Sequence, residues 1–212
     1  MTQGGPRDRP HGSRSQAPPT GETHTWTTLP RSWCGIRRQP NRISRRSCPG
    51  RPYSREQIMR LLEAARLAPS ACNRQPWRFA VALTPEVRRR IVEDGFLPGL
   101  GMSWAREAPV HVVLGMERSV LTHGVAAAVA GVDYPWLDLG IAGEHPVLAA
   151  AELGLGTCWI GWIRPRILRR IVGWPVTVRP VAVITVGYPR DADPRSTTGS
   201  RRRPMDELLR WL

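Results

Sequence analysis

The stretch AELGLGTCWIGW, residues 151–162, closes a helical pattern on Leu-Gly-Leu-Gly and then sets Gly161 between the indoles of Trp159 and Trp162. Glycine has no Cβ, so it lets main chain lie close against another surface; beside two large indoles, that surface is expected to be flat. Arginine is the second chemical resource. RISRR (42–46) and SRRRP (200–204) each gather guanidiniums, planar forks that bind phosphate or carboxylate oxygens by short charge-assisted hydrogen bonds. Other chemistries lack their residues. A dinucleotide GxGxxG must follow a strand and open a helix, but Gly154 and Gly156 follow a helix and the sixth position is Trp159; GLGMSW fails in the same way at Trp104. The chain has no lysine, so GxxxxGK is impossible. Cys34, Cys48, Cys72 and Cys158 show neither CxxC nor metal-ligand spacing and read as separate thiols in a reducing cytosol. Cys158 has no His or Asp motif beside it and is expected to be buried and inert.

The elements that must position these residues fit one domain. The chain has 212 residues, 41% of them hydrophobic, enough for a core without staples. No apolar run is long enough to span a membrane, and the polar N-terminus has no signal-like apolar stretch, so a cytoplasmic protein is expected. The formal net charge is +14. Residues 1–52 hold ten arginines against Asp8 and Glu22, which is +8 of the total. Residues 1–39 are rich in Gly, Pro, Ser, Thr and Arg without apolar period and read as a disordered basic tail, or an overlong translation start. The tail's arginines are scattered without an aromatic platform, so nucleic acid is an unlikely partner.

Residues 40–212 form the expected domain. In YSREQIMRLLEAARLAPS, Ser54 and Gln57 make a capping box, and Ile58, Leu61, Leu62 and Ala65 mark one helical face before Pro69 ends it. WRFAVAL alternates as a strand. Pro85 suits the first position of a second helix, closed by Asp94-Gly95. Pro109 to Met116 reads as a strand. Trp136 to Leu153 reads as mostly helical, with Gly154 as its stop and Pro146 expected to kink or split it. Arg164 to Val172 is a short helix, Pro180 to Pro189 a central strand, and Met205 to Trp211 a short final helix. Trp77 and Phe79 read as core. Helices on one mixed sheet follow.

Four stretches in order, RISRRSCPGRPYSREQI, AARLAPSACNRQPWRF, GIAGEHPVLAAAELGLGTCWIGW, and VGYP with RRRPMDELLRW, together resemble the FMN-dependent nitroreductase family over residues from about 40 to 212. The resemblance implies an α+β fold: a mixed, mostly antiparallel central sheet flanked by helices, with FMN at a homodimer interface. Two registers exist for its first arginine element. Arg45-Arg46-Ser47 leaves the gap to the first helix three residues short, whereas Arg42, Ser44 and Arg46 match without a gap, Ile43 replacing the family's second arginine. These residues, with Arg202 and Arg201 before the last helix, would hold the FMN phosphate; Ser200 stands where the family often has another base. Pro69, Ser70 and Asn73 match positions facing the isoalloxazine ring, whose donor and acceptor rim suits short polar side chains and loop amides. Read alone, Pro-Ser simply ends a helix and Asn73 caps a turn. Trp159, Ile160 and Gly161 match the loop whose main chain lies near the flavin N5, so the flat surface beside Gly161 would be the flavin. Trp162 reads as a filler of core or dimer interface.

The implied activity is an oxidoreductase with ping-pong turnover. Hydride passes from NADH or NADPH to flavin N5 and then to a nitroaromatic, quinone or similar small-molecule acceptor. No protein acid, base or nucleophile is required. Two alternatives stay open: a specialised flavin enzyme of the same fold (dehalogenase, azoline oxidase or an enzyme that consumes its flavin), and a basic protein binding nucleic acid or an acidic partner. The segment from Glu117 to Pro135 is expected to cover the substrate and separate the first two readings.

Overall fold

The computed structural model describes residues 43–44, 53–117, 132–189 and 203–212. The first helix, α1 (Arg55–Arg66), opens on the anticipated capping box: the Gln57 amide donates to Ser54 Oγ at 3.1 Å and Gln57 Oε1 accepts the Ser54 N–H at 2.8 Å. Its buried face is Ile58, Leu61 and Ala65. A single 3-10 turn at Ala71–Asn73 leads into β2 (Trp77–Ala82); β1 is the two-residue Ile43–Ser44. Then come α2 (Pro85–Arg90), with Pro85 in its first turn, a π-helical turn at Ile91–Gly95, a 3-10 segment at Met102–Glu107, and β3 (Val110–Glu117). The long helix α3 (Tyr134–Glu152) precedes β4 (Gly156–Ile160), α4 (Pro165–Ile171), β5 (Val178–Pro189) and α5 (Met205–Leu208).

Every described strand pairing is antiparallel. β5 is central, between β3 and β4, and β2 lies outside β3. β1 extends the far end of β5 through Ser44↔Tyr188. Side chains alternate between two faces. Val112, Ile184 and Val186 pack with Ile58, Leu61, Val147 and Ala150, on the side of α1 and α3. Val113 and Val183 pack with Ile91, Phe96, Ile160 and Leu168 on the other. A third cluster, Ala68, Trp77, Leu114, Met116, Leu139 and Ala142, continues the α3 side and contains the Trp77 expected in the core, with Phe79 packed partly buried against it.

Three local expectations differ from the structure. Pro146 does not split its helix; α3 runs from Tyr134 to Glu152 through it. Proline removes the bond to the carbonyl one turn back, but Pro146 is itself buried with Ala142, Gly143, Val147 and Ala150. Packing outweighs propensity there. The residues after Leu155 form a strand, β4, so Trp159 and Ile160 belong to the sheet and the loop begins only at Gly161. As anticipated, Gly154 stops α3, with φ +72°. The final helix is shorter than expected, ending at Leu208.

Candidate functional site

The sheet order places the two chemically distinctive segments on opposite edges, next to β2 and after β4. Trp77 pairs Met116 and Glu117 pairs Val178, so the turn before β2 sits where β3 finishes and β5 starts. The Glu117 N–H donates to the Pro76 carbonyl at 2.8 Å and ties that turn to β3. Ile160 pairs Val183, five residues into β5, so β4 points toward the same end and Gly161 follows it on the edge opposite β2.

The turn is conformationally unusual. Cys72, Asn73 and Gln75 have φ of 51°, 53° and 50°, a left-handed conformation that costs residues other than glycine about 1 kcal/mol or more each. Local polar groups answer part of that cost: Ser70 Oγ accepts the Gln75 N–H at 3.0 Å, and Gln75 Nε2 donates to Asn73 O at 3.1 Å and to Asn73 Oδ1 at 3.0 Å. Pro69, Cys72 and Asn73 are exposed and Ser70 is half-buried. The Asn73 amide nitrogen and the Ser70 hydroxyl proton keep donor capacity. Asp138, on α3 and buried, accepts the Ala71 N–H at 3.0 Å. Sequence reasoning passed over Asp138; a carboxyl on the apolar stripe of a helix was the available signal.

The strand end is held from the same helix. Trp159 pairs Ile184 and faces α3. A Cβ built on Gly143 would stand 2.2 Å from the Trp159 ring and 2.9 Å from Leu114, so Gly143 is the notch that seats the indole. Glu144, beside it, is half-buried. Burial pushes its carboxyl above the usual range, opposed by hydrogen bonding from Trp159 and by the nearby His145. Ile160 turns the opposite way and is 4% exposed, so any contact it makes with a ligand runs through its main chain. Gly161 is exposed; a Cβ there would meet no protein atom within 4 Å. No steric neighbour in the described chain demands glycine at 161. Trp162 is 62% exposed and therefore not core. Cys158 is half-buried, its thiol near the Trp159 carbonyl. At the same end the Arg179 guanidinium lies 5.6 Å over the Trp136 ring, a pair also missed in the sequence, and Arg78 is ion-paired with Glu117.

Ser44 is placed by its main chain beside Tyr188, at the end of β5 opposite the Ser70–Gln75 turn, so the two are not brought together within one chain. Arg42, Arg46, Arg201 and Arg202 lie outside the described residues, as do residues 1–39 and most of the segment expected to cover the substrate. Among the described residues no group of His, Cys, Asp and Glu could hold a metal ion, and no helix is long and apolar enough to cross a membrane.

The family model of the nitroreductase family matches residues 41–96 and 94–188, and the chain belongs to that family. It is 30% identical to FMN reductase [NAD(P)H] of Bacillus subtilis, over 69% of this chain and 62% of that protein. It is 27% identical to an NADH dehydrogenase of Thermus thermophilus, over 73% of this chain and 84% of that one. The solved structure of a nitroreductase family protein from Streptococcus pneumoniae superposes with a TM-score of 0.66 at 22% identity, covering 84% of this chain and 97% of that one, a likeness of fold. The expected α+β architecture is thus present.

Proposed function

We propose that the chain is an FMN-dependent oxidoreductase that takes its electrons from NADH or NADPH and passes them to a small-molecule acceptor. The observation that carries this reading is that a nitroreductase-family chain presents both a strained, exposed Ser70–Gln75 turn and an uncovered main chain at Gly161. Each surface suits a planar ring with a donor and acceptor rim. Bound FMN would supply the two-electron chemistry between the nicotinamide and a nitroaromatic or quinone, in ping-pong turnover. The protein binds and orients. Gly161 and the main chain of Trp159 and Ile160 offer a close, side-chain-free approach to the ring, and a free amide there would donate toward N5 or O4. Pro69, Ser70 and Asn73 meet the polar rim. Arg42, Arg46, Arg201 and Arg202, with Ser44, would neutralise the phosphate.

A homodimer completes the site in this reading, because the described single chain carries large apolar side chains in the open: Trp162 at 62%, Met205 at 68%, Leu208 at 63% and Trp211 at 87% exposure. Such residues are typical of buried interfaces. A cytoplasmic location goes with the thiols and the nicotinamide donor.

Stopped-flow half-reactions test the proposal. Anaerobic mixing with NADH or NADPH is expected to bleach FMN-loaded protein, and a nitroaromatic or quinone should restore the colour with no nicotinamide present. Failure of both nicotinamides to bleach it would overturn the reading. Reoxidation by halogenated phenols alone would transfer it to the specialised flavin enzymes.

A further inference from the structure

The turn between α1 and β2 has no local cap. Ser70 occupies the cap position of Ala71–Asn73, yet its hydroxyl does not cap it and is taken by the Gln75 amide. Three residues of the turn hold left-handed φ without being glycine, a state that persists only where surrounding structure imposes it. Beside the bonds within the turn, one bond reaches it from α3. Asp138 is 4% exposed, and its Oδ1 accepts the Ala71 N–H, the first amide of the turn. The other buried positions of α3 are Pro135, Leu139, Ala142, Gly143, Pro146, Val147 and Ala150, so an apolar residue would serve the helix at 138. A carboxyl group is rarely buried without a partner, and the partner here is the turn. The same helix seats Trp159 in the Gly143 notch.

We propose that Asp138 is a positioning residue of the cofactor site: through the Ala71 N–H it fixes the Ser70–Asn73 turn on α3. This rests on the FMN reading of the site. Asp138 touches neither cofactor nor substrate; it acts through the turn.

Equilibrium FMN titration of the full chain, with amide exchange of the 70–75 region, tests it. Asp138→Ala removes the acceptor and Ala71→Pro removes the donor. Proline is tolerated at the first position of a helical turn, and Ser70, at φ −145° and ψ 154°, already has the extended conformation that a residue before proline adopts. Both variants are expected to lower FMN affinity about tenfold and to speed exchange in the turn. Asp138→Asn keeps an acceptor oxygen and should stay within about fivefold of wild type. Asp138→Ala or Ala71→Pro folding and binding FMN with less than a fivefold loss would overturn the inference, as would Asp138→Asn falling as far as Asp138→Ala. If Asp138→Ala does not fold, Ala71→Pro and Asp138→Asn decide. A merely structural role would lower melting temperature without changing the affinity of folded protein. Wild-type protein that takes up no FMN would sink the functional reading itself, a distinct result.

Discussion

Gly143 packs on Trp159 and Gly161 lies two residues beyond that indole, yet a methyl group should affect the two glycines in opposite ways. At Gly143 it would run into the Trp159 ring and Leu114, and overpacking of this kind costs about 1–3 kcal/mol. Gly143→Ala should therefore lower stability by that amount in urea denaturation and perturb Trp159 fluorescence. At Gly161 the methyl meets no protein atom, so the apoprotein of Gly161→Ala should unfold within about 0.5 kcal/mol of wild type while FMN affinity falls about tenfold, close to 1.4 kcal/mol. A fully buried histidine supplies a pH signature. His111 donates from Nε2 to the Ala105 carbonyl at 2.9 Å, and its Nδ1 has no partner. Burial, opposed by that bond and reinforced by the Arg88 charge, pushes its pKa from 6.5 to about 4. The unfolded chain then binds a proton between pH 6.5 and 4 that the folded chain refuses, so stability is full above 6.5 and declines as pH falls through this window, by up to about 3 kcal/mol. Urea denaturation from pH 7 to pH 4 should reveal that loss, and His111→Gln, which retains a donor, should flatten it.

At the scale of elements, legibility followed periodicity. The capping box of Ser54 and Gln57 is local, and the structure forms it as read; Ser54→Ala should cost about 1 kcal/mol in the same denaturation assay. Strands with long apolar runs, such as β5, were equally plain. β4 escaped because Gly156–Ile160 is short, opens on glycine and sends Trp159 and Ile160 to different packing partners, a pattern that reads as loop until β5 is seen beside it. Pro146 misled because its penalty is local and its compensation is tertiary. The candidate site divided along the same line. Pro69, Ser70, Asn73 and Gly161 were identifiable from motif resemblance, whereas Asp138, Gly143 and the Arg179–Trp136 pair depend on which helix crosses which strand end. Nothing within a single window of sequence specifies that crossing.

For the whole molecule, the open apolar side chains of Met205, Leu208 and Trp211 argue for a second copy of the chain. Sedimentation equilibrium should give twice the chain mass, and Trp211→Ser should shift the population toward monomer; a stable wild-type monomer carrying bound FMN would remove the dimer from the account. The functional reading requires that the Ser70–Gln75 turn and the Gly161 main chain both belong to flavin sites. Parallel FMN titrations of wild type and Gly161→Val, each with an unfolding curve of the apoprotein, put this to the test. The expected result is about one FMN per wild-type chain, apoproteins of equal stability within about 0.5 kcal/mol, and an affinity lowered at least about tenfold by the valine. Equal FMN affinity in the two proteins, or no uptake by wild type, would contradict it.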